Sequence, residues 1–174
     1  PTDSKIEIER IEDVRGNKRD YILKRAKSLL EGIEDDMPKS REIASTVRTE
    51  SRVSRLKEYG EEKLPAGNLD GEEIIVVEGR ADVINLLKNG VQNVIGMDGN
   101  KLPESVKELS YNKELTLFVD GDRGGKLIVK NVIDNARIDY VAFAPDGKEV
   151  EELSGKEILS SLRKKISILA GFQN

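Results

Sequence analysis

Cysteine and histidine are both absent from the 174 residues. Without cysteine there are no disulfides, no thiolate zinc sites and no cysteine nucleophile. Without histidine there is no Ser-His-Asp chemistry, no imidazole general base and no imidazole-bound metal. A metal, if present, must rest on oxygen ligands, which selects hard cations such as Mg²⁺ or Mn²⁺. No apolar run reaches the length of a membrane span and no signal peptide is visible, so a cytoplasmic protein is expected. Gln and Met are scarce, at two each, among abundant Ile, Lys, Arg and Glu. That balance leans towards a thermophile, although the ten Asn lean the other way. The chain opens on Pro1 rather than Met, which suggests a piece of a longer protein.

What is present is globular. Charged residues make up 36% and hydrophobic residues 37%, a heavily charged balance that can still close a core. The length suits one domain, or one domain with a small lobe. A net charge of −4 decides nothing about nucleic acid by itself.

Residues 1–15 alternate around Ile6, Ile8 and Ile11 and read as a short strand. Gly16-Asn17 reads as a turn. Ile22, Ala26, Leu29, Leu30 and Ile33 then recur at helical spacing. A second helix is expected over roughly 39–60. Its Arg41, Arg48, Arg52 and Arg55 share one face, and from Lys39 to Lys57 six basic side chains face two acidic ones. Leu64-Pro65-Ala66-Gly67 reads as a linker. From 72 to 144 apolar runs alternate with amphipathic stretches. Strands are expected at 74–77, 91–96, 115–119 and 140–144. Helices are expected at 80–89 (Val83, Leu86 and Leu87 inward), 103–109 and 125–136 (Leu127, Ile128, Val132 and Ile133 inward). The strand–helix repeat predicts an α/β unit with a mostly parallel sheet. The tail is expected to be a charged turn and one helix carrying Ile158, Leu159, Leu162 and Ile166. The expected divisions are 1–70, 71–152 and 153–174.

Open α/β sheets bind ligands outside the carboxyl ends of their strands. The four expected strands end in Glu78-Gly79, Asp98-Gly99, Asp120-Gly121-Asp122 and Pro145-Asp146-Gly147, the last followed by Glu149, Glu151 and Glu152. In a 2-1-3-4 strand order Glu78, Asp120 and Asp122 converge. Clustered carboxylates repel one another unless a cation neutralises them, so this rim suits a divalent ion. A lone Asp-Gly is ordinarily a turn, and an arginine stripe is ordinarily a solvated helix face. Arg163-Lys164-Lys165 reads as a positive last turn facing the helix dipole. The joint position of the acids is what separates them from those readings.

Ile74-Ile75-Val76-Val77-Glu78-Gly79 with Asp82, followed some forty residues later by Phe118-Val119-Asp120-Gly121-Asp122-Arg123-Gly124-Gly125, resembles the Toprim domain. That domain is shared by DnaG-type primases, topoisomerases and some nucleases. The match covers about 72–152, and the whole chain resembles the catalytic core of an archaeal DnaG-like primase. The resemblance implies a Toprim domain with a four-stranded mostly parallel sheet flanked by helices, plus a smaller helical N-terminal lobe. It implies Glu78 as metal ligand or general acid/base, Asp120 and Asp122 as metal-binding aspartates, and Asp82 as a supporting acid. Bacterial primases carry further acids in a Pro-Asp-Gly-x-Asp-Pro-Asp pattern. Here Pro145-Asp146-Gly147 is followed by Glu149 and Glu151, the expected second-site ligands. The expected activity is template-dependent RNA primer synthesis with Mg²⁺ or Mn²⁺, two ions being expected. A single-stranded DNA template and nucleoside triphosphates are the expected partners. Lys18, Arg19, Arg41, Arg48, Arg52 and Arg55 are the expected phosphate contacts. Two alternatives stay open: an RNA-binding subunit docked on a protein of the archaeal exosome, and a Toprim nuclease. A topoisomerase fits least, since no separate tyrosine-bearing domain is evident.

Overall fold

The computed structural model describes residues 14–31, 37–99 and 101–171. The strand expected around Ile6–Ile11 lies outside them. Two compact units divide the chain, Pro1–Arg48 and Thr49–Asn174. In the first, α1 (Val14–Glu31) is an 18-residue helix. It runs through Gly16-Asn17, so the turn expected there is corrected to helix. α2 (Met37–Val53) continues from the first unit into the second. It ends before Arg55, which sits in the following turn.

The second unit is built on one sheet in the order β1-β2-β4-β3-β5-β6-β7. Its strands are β1 (Lys57–Tyr59), β2 (Leu64–Ala66), β3 (Glu73–Val77), β4 (Val94–Gly96), β5 (Glu114–Val119), β6 (Tyr140–Phe143) and β7 (Ile166–Ser167). The four central strands are mutually parallel. They have the expected 2-1-3-4 order, and three short antiparallel strands extend the sheet at its edges. The helices are α3 (Arg80–Lys88), α4 (Glu104–Asn112), α5 (Arg123–Ile133), α6 (Gly155–Arg163) and α7 (Ile168–Gly171).

Continuous β-branched runs make strands that are buried on both faces. Ile74 and Val76 of β3, with Leu115, Leu117 and Val119 of β5, point to one side, where α4 and α5 supply Val106, Leu109, Ile128, Val129 and Val132. Ile75, Val77 and Phe118 point to the other, where α3 and α6 supply Val83, Leu86, Leu87 and Ile158. The sheet is thus sandwiched between helices, and every central strand runs its carboxyl end to the same rim.

The expected linker at 64–67 is instead buried strand. β2 pairs with β1 along its length, but with β4 only at Ala66 opposite Ile95. Pro65 has no N–H to give to a longer ladder. Gly67 and Asn68 then donate to the carbonyls of Val94 and Gln92 at 2.8 Å. A Cβ at Gly67 would stand 2.0 Å from the Gln92 carbonyl oxygen, so only glycine fits there. Two further expectations change. Leu127 of α5 is 59% exposed rather than inward, and Ile166 lies in β7, not in the tail helix. No helix among the described residues is long and apolar enough to cross a membrane.

Candidate active site

The acids stand where β3, β5 and β6 end. Glu78 follows β3 and is half-buried. Asp120 follows β5, also half-buried, and Asp122 is exposed two residues on. Both aspartates are held by backbone. Asp122 caps α5, its Oδ1 accepting from Gly125 N–H at 2.8 Å. Asp120 Oδ1 accepts from Val150 N–H at 2.7 Å.

That second bond belongs to a staple between two acid-bearing loops. Gly121 N–H donates to the Lys148 carbonyl, and Gly147 N–H donates back to the Gly121 carbonyl, both at 2.9 Å. The chain after β6 is thereby drawn onto the chain after β5. A short 3₁₀ turn at Val150–Glu152 follows. Asn85 of α3 fixes it from behind, its amide donating to the Val150 and Leu153 carbonyls at 2.9 Å. Sequence reading missed Asn85, although a polar side chain within the inward stripe of α3 is a signal for such a tie. It missed Glu152 too, whose Oε1 accepts from Glu149 N–H at 3.0 Å.

The electrostatics tie these groups together. Partial burial raises the Glu78 carboxyl above its ordinary value, and the charges of Asp120 and Asp122 raise it further. Glu149 is raised first by Glu151, then by Asp120, with Asp122 contributing. Asp82, buried on the first turn of α3, is pushed up to about 6, chiefly by burial. Its bond from Gly79 N–H, at 2.9 Å, pulls the other way, while Asp120, Glu151 and Glu78 add repulsion. Glu78, Asp120, Asp122, Glu149 and Glu151 therefore share one negative field.

Among the described residues, no three acids come close enough to cage an ion by themselves. The donor set is hard, anionic oxygen, and it is self-repelling until a cation arrives. It fits an ion that keeps water and phosphate oxygens in its shell and takes only one or two carboxylates from the protein, which is the habit of Mg²⁺. It does not form a closed protein site.

Asp82 supplies a pH signature. The folded state holds its proton above the ordinary aspartate value of 3.8, up to about 6. Between those values the folded chain binds more protons than the unfolded one, so stability falls as pH rises through the window. Asp82→Asn keeps an acceptor for Gly79 N–H and removes the charge. In chelator, its Tm is expected to exceed that of the parent at pH 7.5 and to match it near pH 4. Thermal melts across that range check this, and parallel curves would refute it.

The basic residues are placed as follows. Lys18 and Arg19 lie in α1, and Arg41 and Arg48 in α2, where Arg19, Arg41 and Arg48 are exposed. Arg52 is half-buried and donates to the Lys88 carbonyl at 3.0 Å, closing the carboxyl end of α3. α3 starts at the rim and runs back along the sheet, so Arg52 stands at its far end. Arg55 is exposed beyond α2 and leaves the shared helical face. Asp98, after β4, holds a left-handed φ of 57°.

Residues 72–142 match the family described as Toprim domain. Over 169 residues the chain is 52% identical to DNA primase DnaG of Pyrococcus horikoshii, covering 95% of this chain and 38% of that protein. It is 51% identical over 171 residues to DNA primase DnaG of Archaeoglobus fulgidus, covering 97% of this chain and 43% of that one. The chain thus spans about two-fifths of the length of these relatives. Among solved structures, a DNA primase domain from Pseudomonas aeruginosa superposes with a TM-score of 0.51 at 24% identity, over 60% of this chain and 39% of that one, a likeness of fold.

Proposed function

From the premise that the chain belongs to the DnaG-like family of Toprim proteins, we propose that it is the catalytic core of a primase that joins ribonucleotides on a single-stranded DNA template. The observation that carries this reading is the shared field of Glu78, Asp120, Asp122, Glu149 and Glu151 at one rim. A triphosphate can approach such a rim only with its charge neutralised, and no basic side chain is interleaved among these five acids in the sequence except Lys148, which is held by Glu157.

In this reading a 3′-hydroxyl attacks the α-phosphorus of a nucleoside triphosphate, the new P–O bond forms, and pyrophosphate leaves. Mg²⁺ or Mn²⁺ held by Glu78, Asp120 and Asp122, with Glu149 or Glu151 serving a second ion, would neutralise the phosphates and lower the pKa of the nucleophile. Glu78 is suited to receive the hydroxyl proton, because burial and two neighbouring aspartates already raise its proton affinity. Asp120 and Asp122 keep their directions through Val150 and Gly125, so their orientation is in place before substrate arrives. Asp82 braces Gly79 and the start of α3 behind Glu78. Lys18, Arg19, Arg41, Arg48 and Arg55 would contact template phosphates, with Arg52 serving α3 instead.

Incubation with single-stranded template, nucleoside triphosphates and Mn²⁺, followed by sizing of labelled products, tests the activity. Short oligoribonucleotides that require template are expected. Template-independent cleavage without product would favour the nuclease alternative, and metal-free RNA binding without product the exosome-type one. Cation binding is tested separately. Ions that bind only the folded state raise Tm by mass action, about 2.7 kcal/mol of added stability at a hundredfold excess over Kd. Mg²⁺ or Mn²⁺ is expected to raise the Tm of the parent but not of the Asp120→Asn, Asp122→Asn variant, which keeps both backbone acceptors. Equal shifts in the two would remove these aspartates from the site.

A further inference from the structure

β7 covers only part of the sheet edge. It pairs with β6 at Tyr140 and Val141 and leaves Ala142 and Phe143, nearer the rim, without a partner strand on that side. A groove of about 500 Å³ opens there, with Phe143 and Pro145 on one wall and Lys156, Ser160 and Lys164 of α6 on the other. A second hollow, of about 310 Å³, shares those three α6 residues and adds Leu159 and Arg163. The two form one continuous surface leading off the loop that carries Asp146 and Glu149.

The cations of this tail fall into two sets. Lys148 is held by Glu157. Lys165 reaches Glu114 at 3.7 Å and lies 4.1 Å from the centroid of the Tyr140 ring. Lys156, Arg163 and Lys164 enter none of the ion pairs among the described residues. The helix dipole explains Arg163, in the last turn, but not Lys156. A cation in the first turn of α6 faces the positive end of the dipole and is disfavoured there. Lys156, Ser160 and Lys164 recur every four residues, a stripe about 12 Å long. Glu157, the acid in the wall, already serves Lys148 and Ser154. Beside the cations lie Phe143, Pro145 and Leu159, the last 51% exposed.

We propose that this groove binds single-stranded nucleic acid, with phosphates on Lys156, Arg163 and Lys164 and unpaired bases against Phe143, Pro145 and Leu159. Cations bordering exposed apolar faces suit a strand whose bases are free to stack, not a duplex. A peptide added to the open edge would account for the bare strand but not for the lysine at the wrong end of α6. The proposal rests on the primase reading in one respect: the strand in the groove is that reaction's template.

Anisotropy of a labelled oligothymidylate in chelator, titrated with salt, tests it. Lys156→Gln, Arg163→Gln, Lys164→Gln together are expected to weaken binding about tenfold and to flatten the log–log salt slope by roughly 2, three phosphate contacts at about 0.7 each. Lys57→Gln, Lys63→Gln, Lys88→Gln together change the net charge equally and are expected to leave the slope nearly intact. Equal weakening by both triples would overturn the proposal, as would loss of polyglutamate binding with oligonucleotide binding untouched. The chain lacks cysteine, so Ser160→Cys provides a unique thiol for a photocrosslinker. It is expected to capture the oligonucleotide where Tyr111→Cys, exposed on α4, does not, and equal capture would also overturn the proposal. Primer synthesis by the parent with undiminished template binding by the α6 triple would defeat the groove alone. Groove-dependent binding by a parent that makes no primer would defeat the primase reading alone.

Discussion

Glu78→Gln is expected to lower primer synthesis by roughly 10²–10⁴-fold, the usual share of a positioned acid–base group, while single-strand binding stays as in the parent. Glutamine keeps the size and one acceptor but can neither take a proton nor neutralise a cation. Folding should survive, because Glu78 stands at the end of β3 and its buried neighbours Val76 and Val77 are untouched. Removing the charge also relieves repulsion from Asp120 and Asp122, so the Tm in chelator should not fall. The measurement is labelled product per template-bound enzyme, with anisotropy for binding. Undiminished product from Glu78→Gln would defeat the assignment, because an acid raised by burial and two aspartates would then have no part in the reaction.

Gly121→Ala is the counterpart in the scaffold. A Cβ there would stand 2.1 Å from the Pro145 carbonyl oxygen and 2.5 Å from that of Ala144. Both obstacles are backbone, which cannot rotate away as a side-chain tip can. To make room, the loop after β6 must leave the loop after β5, breaking the paired bonds between Gly121, Gly147 and Lys148 and the bond from Val150 to Asp120. Overpacking against a fixed backbone costs about 3 kcal/mol, a fall in Tm of roughly 6–12 °C for a chain of this size. Activity should fall even where the chain stays folded, since Glu149 and Glu151 would swing away from Asp120. Gly71→Ala is the control: a Cβ there meets nothing within 4 Å, and its melt should match the parent. If Gly121→Ala melts like Gly71→Ala, the two loops are not joined as described.

These two variants also mark how far the sequence could be read. Glycine after each acid suggests access for phosphate. Gly121 and Gly125 instead admit backbone: a Cβ at Gly125 would lie 2.2 Å from the Asp120 carbonyl oxygen. The motif was visible, but its partner, the chain near Pro145, is more than twenty residues away and carries no signal in the motif itself. Arg52 makes the same point. Its spacing placed it with Arg41 and Arg48, and its contact with the Lys88 carbonyl gives it another task. Helical spacing fixes which side chains share a face, not what that face meets.

The sequence alone determined the chemistry available and the central layers. The absence of cysteine and histidine left only oxygen ligands. Buried β-branched runs of four to six residues, alternating with amphipathic helices, could satisfy their backbones and hide their side chains only as a parallel sheet with acids at one end. Tertiary structure alone decided the edges and the closure of the site. β1, β2 and β7 are two or three residues long, too short to show a period, and they exist because a neighbouring strand offers bonds. The meeting of Asp120 with Val150 likewise depends on backbone groups, which are identical in every residue and so leave no trace in composition or pattern.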